Sequence, residues 1–230
     1  FPFCESIVFN ECKDNYFLLL SQIFILILLA MSSISRIFET RKQQSYRMED
    51  FVHLHVHTHY SILDGQSKVS YLVDKAVNNG MKGMAITDHG VMFGIKEFYN
   101  YCNKVNGKRK EEGLPPFKPI LGCEMYVARN KKESKIKENG DMGGKHLIVL
   151  AKNLQGYKNL IKLVSRSWVD GFYMRPRTDH EDLERYHEGL IVCSACIAGE
   201  VPSKVLKGDY EGAREAARWF KRVFGDDYYL

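Results

Sequence analysis

Neither glycine (18) nor proline (6) is abundant in these 230 residues, which excludes a collagen-like chain. No heptad pattern runs on, so a long coiled coil is excluded too, and no internal repeat appears. Charge of neither sign dominates. Thirty-three Lys and Arg against 28 Asp and Glu leave a net charge of +5. That tilt permits an anionic partner but is not the dense basic stripe of a dedicated nucleic-acid binder. With 45% hydrophobic and 27% charged residues the chain is ordinary globular material, and disorder as its dominant state is excluded. Cysteine is sparse: Cys4, Cys12, Cys102, Cys123, Cys193 and Cys196, irregularly spaced. A chain of this length does not need disulfide staples. Cys193 and Cys196 form a lone C-x-x-C, without the second pair that a zinc ribbon needs. The thiols read as reduced, in a cytoplasmic protein.

Long hydrophobic runs are also missing, with one partial exception. Phe17 to Ala30 reads FLLLSQIFILILLA, shorter than the roughly 20 residues of a spanning helix. As a signal peptide it lacks a basic start and an initiator Met. Arg36, Arg41, Lys42 and Arg47 follow, and composition changes abruptly at Met48. Three readings compete for the stretch: translated upstream sequence with Met48 as the start, which we favour, a membrane anchor, or a buried core helix. We therefore expect residues 1–47 to be a hydrophobic and basic extension outside the fold, 48–230 to be the functional domain, and no membrane partner.

From Met48 onward the pattern alternates between two periods. Phe51, His53, His55 and His57 share one face of a predicted strand over Phe51–Thr58, with Val52, Leu54 and Val56 on its apolar back. A helix over Ser67–Asn79 is expected, capped by Ser67 and ended by Gly80. Strand Gly83–Thr87, helix Phe93–Val105, a polar loop over Lys108–Pro116 and strand Pro119–Ala128 follow. A charged, Gly-rich excursion covers Arg129–Gly144. Strand His146–Ala151, helix Leu154–Val169, strand Leu190–Ser194 and helix Tyr210–Phe224 complete the reading. Alternating strands and helices with apolar strands argue an α/β protein with a parallel sheet, doubly wound or barrel. Polar residues recur near strand ends, as they do at the active face of barrels.

Neutral imidazole and carboxylate oxygen are ligands for zinc, manganese and iron. Same-face histidines on one strand make a good chelate and a poor core, because an unmetallated cluster is costly through repulsion and desolvation. Glu124, inside an apolar strand, needs a partner. Asp88 could instead cap a helix, and His146 or Cys196 alone could be ordinary buried residues. The combination carries the signal.

The motifs FVHLHVHTHYSILDG, MAITDHG, PILGCEMYV, HLIVLAKNLQGYKNL, DGFYMRPR and CSACIAGE occur in this order between Phe51 and Glu200. They resemble the PHP (polymerase and histidinol phosphatase) superfamily. Within it they are more similar to the N-terminal PHP domain of bacterial DNA polymerase III alpha subunits, the C-family replicative polymerases. The resemblance implies a distorted seven-stranded α/β barrel, C-terminally incomplete in this length of chain. It implies up to three divalent metal ions (Zn, Mn or Mg). His55, His57 and Glu124 would hold the first, and Glu124 would bridge to a second held with His146 and Cys196. Asp64 and His89 would hold the third, and Asp88 would orient a ligand. A further Asp and His of a late motif lie beyond Leu230, so this length of chain is expected to bind fewer ions and to lack phosphoesterase activity. His53 and His59 are not at ligand positions.

The implied chemistry is phosphoester hydrolysis, with His55, His57, Glu124 and His146 at the reacting centre and Arg175 and Arg177 as candidate phosphate clamps. In a DNA-directed DNA polymerase the substrate would be a 3′ DNA terminus, giving a 3′–5′ proofreading exonuclease. Other replicase subunits, an exonuclease subunit and a sliding clamp, would be partners. The alternatives are a non-catalytic scaffold bracing the polymerase, and a stand-alone histidinol-phosphatase-like phosphoesterase.

Overall fold

The structure, a computed structural model, describes residues 51–135 and 143–230. The expected 1–47 extension lies outside the described residues, as does the middle of the Arg129–Gly144 excursion. The helices are α1 (Val69–Asn78), α2 (Ile95–Glu111), α3 (Leu154–Val169), α4 (His180–Arg185), α5 (Glu200–Leu206) and α6 (Tyr210–Phe224). The strands are β1 (Gly83–Ile86), β2 (Lys118–Val127), β3 (Lys145–Ala151), β4 (Arg177–Thr178), β5 (Leu190–Cys193) and β6 (Tyr228–Tyr229). Among the described residues no helix is long and apolar enough to cross a membrane.

The fold is mixed α/β, but the sheet is not parallel. Its order is β1-β2-β3-β5-β6, and β4 also pairs with β2. The pairs β1/β2, β2/β4 and β5/β6 are parallel, while β3 runs against both β2 and β5. Parallel neighbours need a crossover, usually a helix. Residues 128–144 carry no helical apolar period, so the chain returns along the edge of β2 and the two strands oppose. The sheet is open among the described residues, and the implied barrel is not seen.

The predicted strand over Phe51–Thr58 is not formed. The segment bends at Leu54 and His55 and holds β1 through two backbone bonds, Ala85 N–H to His53 O and Thr87 N–H to Val56 O, each 2.8 Å. Two of its own amides go to side chains: Val56 N–H to Thr87 Oγ1 at 2.9 Å and Thr58 N–H to Asp88 Oδ1 at 2.6 Å. Such bonds compete with a ladder. Leu54, expected on the apolar back, is exposed.

Helices form where apolar spacing and end signals agree. In α3, Asn153 caps by accepting from Gly156 N–H, and Leu160, Leu163 and Val164 bury one stripe. In α6, Asp209 caps by accepting from Gly212 N–H, Ala213, Ala216, Phe220 and Phe224 are buried, and Gly225 ends the helix at φ +56°. Ser67 does not cap α1; Lys68 precedes the helix with no side-chain cap. The loop expected from Lys108 begins only after Glu111, because Lys108, Arg109 and Lys110 suit the negative end of α2.

Two apolar clusters flank the sheet. Cys123, Met125 and Val127 of β2 and Leu147 and Val149 of β3 pack with Leu160, Leu163 and Phe220 of α3 and α6. Met84 and Ile86 of β1 pack with Val69 and Val73 of α1, Phe98 of α2 and Phe117. The two-residue period of the strands then sends Glu124, Tyr126 and His146 to the face away from α3.

Candidate metal centre

Glu124 is the middle of the centre. β2 changes partner along one edge: β1 covers Lys118–Leu121, and β4 covers Tyr126 and Val127. The turn after β1 fills the gap. Glu124 N–H donates to Asp88 O at 3.1 Å and Gly90 N–H to Glu124 O at 2.8 Å, so His89 stands beside Glu124. Gly90 takes φ +62°, and a Cβ there would meet Pro176 Cγ at 2.6 Å. Across the other edge, β3 pairs His146 with Tyr126.

The Glu124 carboxylate is 1% exposed and faces four imidazoles. Oε2 lies 2.8 Å from His55 Nε2 and 3.7 Å from His57 Nε2. Oε1 lies 2.6 Å from His89 Nδ1 and 3.3 Å from His146 Nδ1. Burial works against the charge on Glu124, but the surrounding imidazoles of His146, His55, His57 and His89 outweigh it and hold the carboxyl well below the usual carboxylate range. The bond to Glu124 raises His89 above the ordinary imidazole range, against burial and with help from Asp64. His57 and His89 stack with ring centres 4.0 Å apart.

The donor set fits a divalent cation. His55 Nε2 and His57 Nε2 are 3.0 Å apart, and with a Glu124 oxygen they form a group whose ligand atoms all lie within 4.8 Å of one another. Two nitrogens and an oxygen at this spacing suit zinc or manganese. The other expected ligands stand on the second carboxylate oxygen's side. Asp64 Oδ2 is 3.0 Å from His89 Nε2, and Cys196 Sγ is 3.7 Å from His146 Nδ1. The structure brings all seven expected ligands into one contact network through Glu124. His53 packs edge-on against Phe51, away from it.

Asp88 is not a helix cap. Buried at 2% exposure, it accepts from Thr58 N–H (2.6 Å), Thr58 Oγ1–H (2.8 Å) and Ser61 Oγ–H (2.8 Å). Ser61 is the residue that sequence reasoning missed, since nothing in a T-H-Y-S run marks its serine. With its own hydrogen given to Asp88, its oxygen accepts from His57 Nδ1–H at 3.0 Å. The relay therefore leaves the Nε2 lone pair of His57 facing Glu124 and His55.

The two arginines expected to clamp phosphate part company. Arg175 is exposed, lies over the Tyr126 ring at 4.8 Å and reaches His146 Nε2 at 3.5 Å. Burial pushes the Tyr126 phenol up to about 12, so it stays neutral. Arg177 is 2% exposed and donates to three backbone carbonyls: Gly171 (3.2 Å), Lys132 (2.9 Å) and Ser134 (2.7 Å). Those bonds turn its guanidinium inward and make it a brace for two loops.

Comparison with known proteins adds kinship. The DNA polymerase III subunit alpha of Borreliella burgdorferi is 47% identical over 182 residues, 78% of this chain and 15% of that protein. That of Treponema pallidum is 43% identical over 180 residues, 78% of this chain and 14% of that protein. The chain thus spans about 15% of the length of these curated relatives. A solved amidohydrolase from Chromobacterium violaceum aligns with a TM-score of 0.38 at 14% identity, over 74% of this chain and 83% of that one, too loosely to build on. The model of the PHP domain matches residues 53–230, which hold every residue of the centre, and this chain belongs to the PHP domain family.

Proposed function

We propose that residues 48–230 are the PHP domain of a replicative DNA polymerase alpha subunit, and that the centre around Glu124 hydrolyses phosphodiesters at a 3′ DNA end. The observation that carries this reading is one buried carboxylate meeting four imidazoles, two on each oxygen. Without a cation such a cluster is costly. Held by His55, His57 and Glu124, with His146, Cys196, Asp64 and His89 for further ions, a divalent cation supplies Lewis acidity and a water of lowered pKa.

The chain's own residues do the rest. Asp88, through Ser61, fixes the tautomer of His57. Arg175, steered by Tyr126, presents a guanidinium beside His146 where a phosphate oxygen could be bound. On this reading DNA is the substrate, the other replicase subunits are the partners, and later strands close the barrel and add the late Asp and His.

Calorimetry with Mn2+ or Zn2+ tests cation binding by this chain. Release of nucleotides from a 3′-labelled strand tests the polymerase that carries it. Glu124→Gln is expected to weaken cation binding by at least the roughly 100-fold that losing an outer-sphere partner costs, and to abolish cleavage while polymerisation continues. Undiminished cleavage in Glu124→Gln would overturn the assignment. Cation binding without any cleavage would favour the scaffold.

A further inference from the structure

A cavity of about 430 Å³ lies between the residues that follow β2, the start of β3 and helix α5, and none of the seven expected metal ligands lines it. Its size suits a small ligand. The walls carry four cations, Arg129, Lys145, Lys204 and Lys207, against two carboxylates, Glu200 and Asp209. Both carboxylates have other work. Glu200 Oε2 is 3.0 Å from His180 Nε2, and Asp209 caps α6 by accepting from Gly212 N–H at 2.9 Å. Lys204 Nζ comes no closer than 4.0 Å to Asp209 Oδ2. Lys145 and Lys207 make no ion pair among the described residues.

Exposed lysines are ordinary, and Lys204 and Lys207 at the end of α5 also suit the negative pole of that helix. That accounts for two of the four. Arg129 and Lys145 stand on the two arms of the β2–β3 connection and line the same cavity. Lys145 pairs with Val127, next to the Tyr126–His146 pair, so the alternation of β3 puts it on the face away from His146. Beside it Gly144 (φ +72°) lies so close to β2 that a Cβ would stand 3.1 Å from Val127 O. That part of the wall therefore has no side chain to fill the space. Cations that share a cavity repel one another, so the lining favours an anionic occupant.

We propose that this cavity binds a small anion of linked phosphates, such as tripolyphosphate or the tail of a nucleoside triphosphate. A single phosphate would occupy a small part of the volume and could not touch cations on three segments at once. Linked phosphates bring several charges into one ligand, and lysines meet them as mobile point charges without demanding a fixed geometry. A nucleic-acid backbone would instead need a basic track that continues over the surface. Here the cations converge on one cavity, beside two carboxylates. The proposal goes beyond the reading of the metal centre and needs neither its cation nor cleavage.

The probes are inorganic tripolyphosphate, dATP, inorganic phosphate and a single-stranded oligonucleotide, titrated into this chain by calorimetry. EDTA is present, so that no divalent cation at Glu124 contributes. Tripolyphosphate is expected to bind at one site, roughly tenfold tighter than inorganic phosphate, and to raise the melting temperature. The double variant Lys145→Gln/Lys207→Gln should weaken it roughly tenfold, and the exposed Lys207→Gln alone roughly threefold. With repulsion relieved, neither variant should melt below the wild type when free of ligand. Glu124→Gln should bind tripolyphosphate as the wild type does. Equal affinity for dATP and tripolyphosphate would support recognition of the phosphates alone, and tighter dATP would support a nucleotide. No binding of tripolyphosphate by the wild type, or undiminished binding in both lysine variants, would overturn the proposal while leaving the metal centre standing. Binding lost in Glu124→Gln would overturn it by placing the anion at that centre. An oligonucleotide that displaces tripolyphosphate and binds more tightly per phosphate would also overturn it, as a nucleic-acid track.

Discussion

Replacing Asp88 by alanine tests how the centre is held from behind. The carboxylate accepts three hydrogen bonds, from Thr58 N–H, Thr58 Oγ1–H and Ser61 Oγ–H. Thr58 is 0% and Ser61 1% exposed, so water does not replace the lost acceptor. Each bond to a charged acceptor contributes about 1.5–3 kcal/mol, offset in part because a buried carboxylate no longer has to be desolvated. The net loss expected for Asp88→Ala is about 3–5 kcal/mol. Asn is different. Its carbonyl can serve Thr58 N–H and Ser61 Oγ–H, and its amide can donate to Thr58 Oγ1 if that hydroxyl turns its hydrogen away. Asp88→Asn should therefore cost only about 1–2 kcal/mol. The centre should register the same difference. In the alanine variant Ser61 is free to donate to His57 Nδ1, which moves the imidazole proton to Nε2, where the cation would bind. Cation affinity should fall roughly 10- to 100-fold in Asp88→Ala and much less in Asp88→Asn. Urea unfolding gives the stabilities, calorimetry the affinities, and nitrogen–proton NMR correlations of the ring the tautomer. An alanine variant within about 1 kcal/mol of wild type, or one destabilised with the His57 tautomer unchanged, would refute the relay.

Asp182→Ala should also destabilise, by about 3–5 kcal/mol in urea unfolding. It takes the carboxylate from Arg166 (2.9 Å) and from the buried Lys132 (3.2 Å), yet lies outside the centre and should leave cation affinity unchanged in the folded protein. Cation affinity should climb as pH rises through the ordinary imidazole pKa of about 6.5 and above it, with proton release measured by calorimetry in buffers of different ionisation enthalpy. The sign follows from His89, whose raised pKa keeps its proton to higher pH, so that a cation must displace it. Glu124, held low, contributes its stability above the ordinary carboxylate pKa and loses it only as pH falls through its depressed value. The protein should then stay folded near pH 5 with the cation released. A pH-independent affinity would contradict the ligand assignment.

Much of this was legible in the sequence, and the exceptions have physical causes. The boundaries of α3 and α6 match their patterns because Asn153, Asp209 and Gly225 punctuate them. Glu124 stands out as a carboxylate in an apolar strand, whereas the ligand set around it follows from the resemblance and not from spacing. Strand direction was not legible, since apolar runs such as HLIVLA suit parallel and antiparallel burial alike. The Phe51–Thr58 segment keeps His55 and His57 aimed at the centre without being a strand, because Thr87 and Asp88 side chains take the amides of Val56 and Thr58. The two-residue strands β4 and β6 and the short helices α4 and α5 are too brief for any period to show. Arg175 and Arg177, two residues apart, looked equivalent. Only tertiary contacts show one at the mouth and the other buried against carbonyls.

The gap in the edge of β2 has a mechanical consequence. Asp88 to Gly90 occupies it with two backbone bonds to Glu124, so His89 and Glu124 are parts of one ladder and cannot shift apart without opening the sheet. The opposite side is held by different means. His55 and His57 ride on a segment bound by Ala85 and Thr87 N–H and by the side chains of Thr87 and Asp88. Asp64 is exposed and sits on a turn closed by Asp64 N–H and Gly65 N–H on Ser61 O. The centre thus has stiff walls and one compliant corner. An arriving ion of a different radius would be accommodated by yielding of the Asp64 turn, with the Glu124 side as the fixed reference.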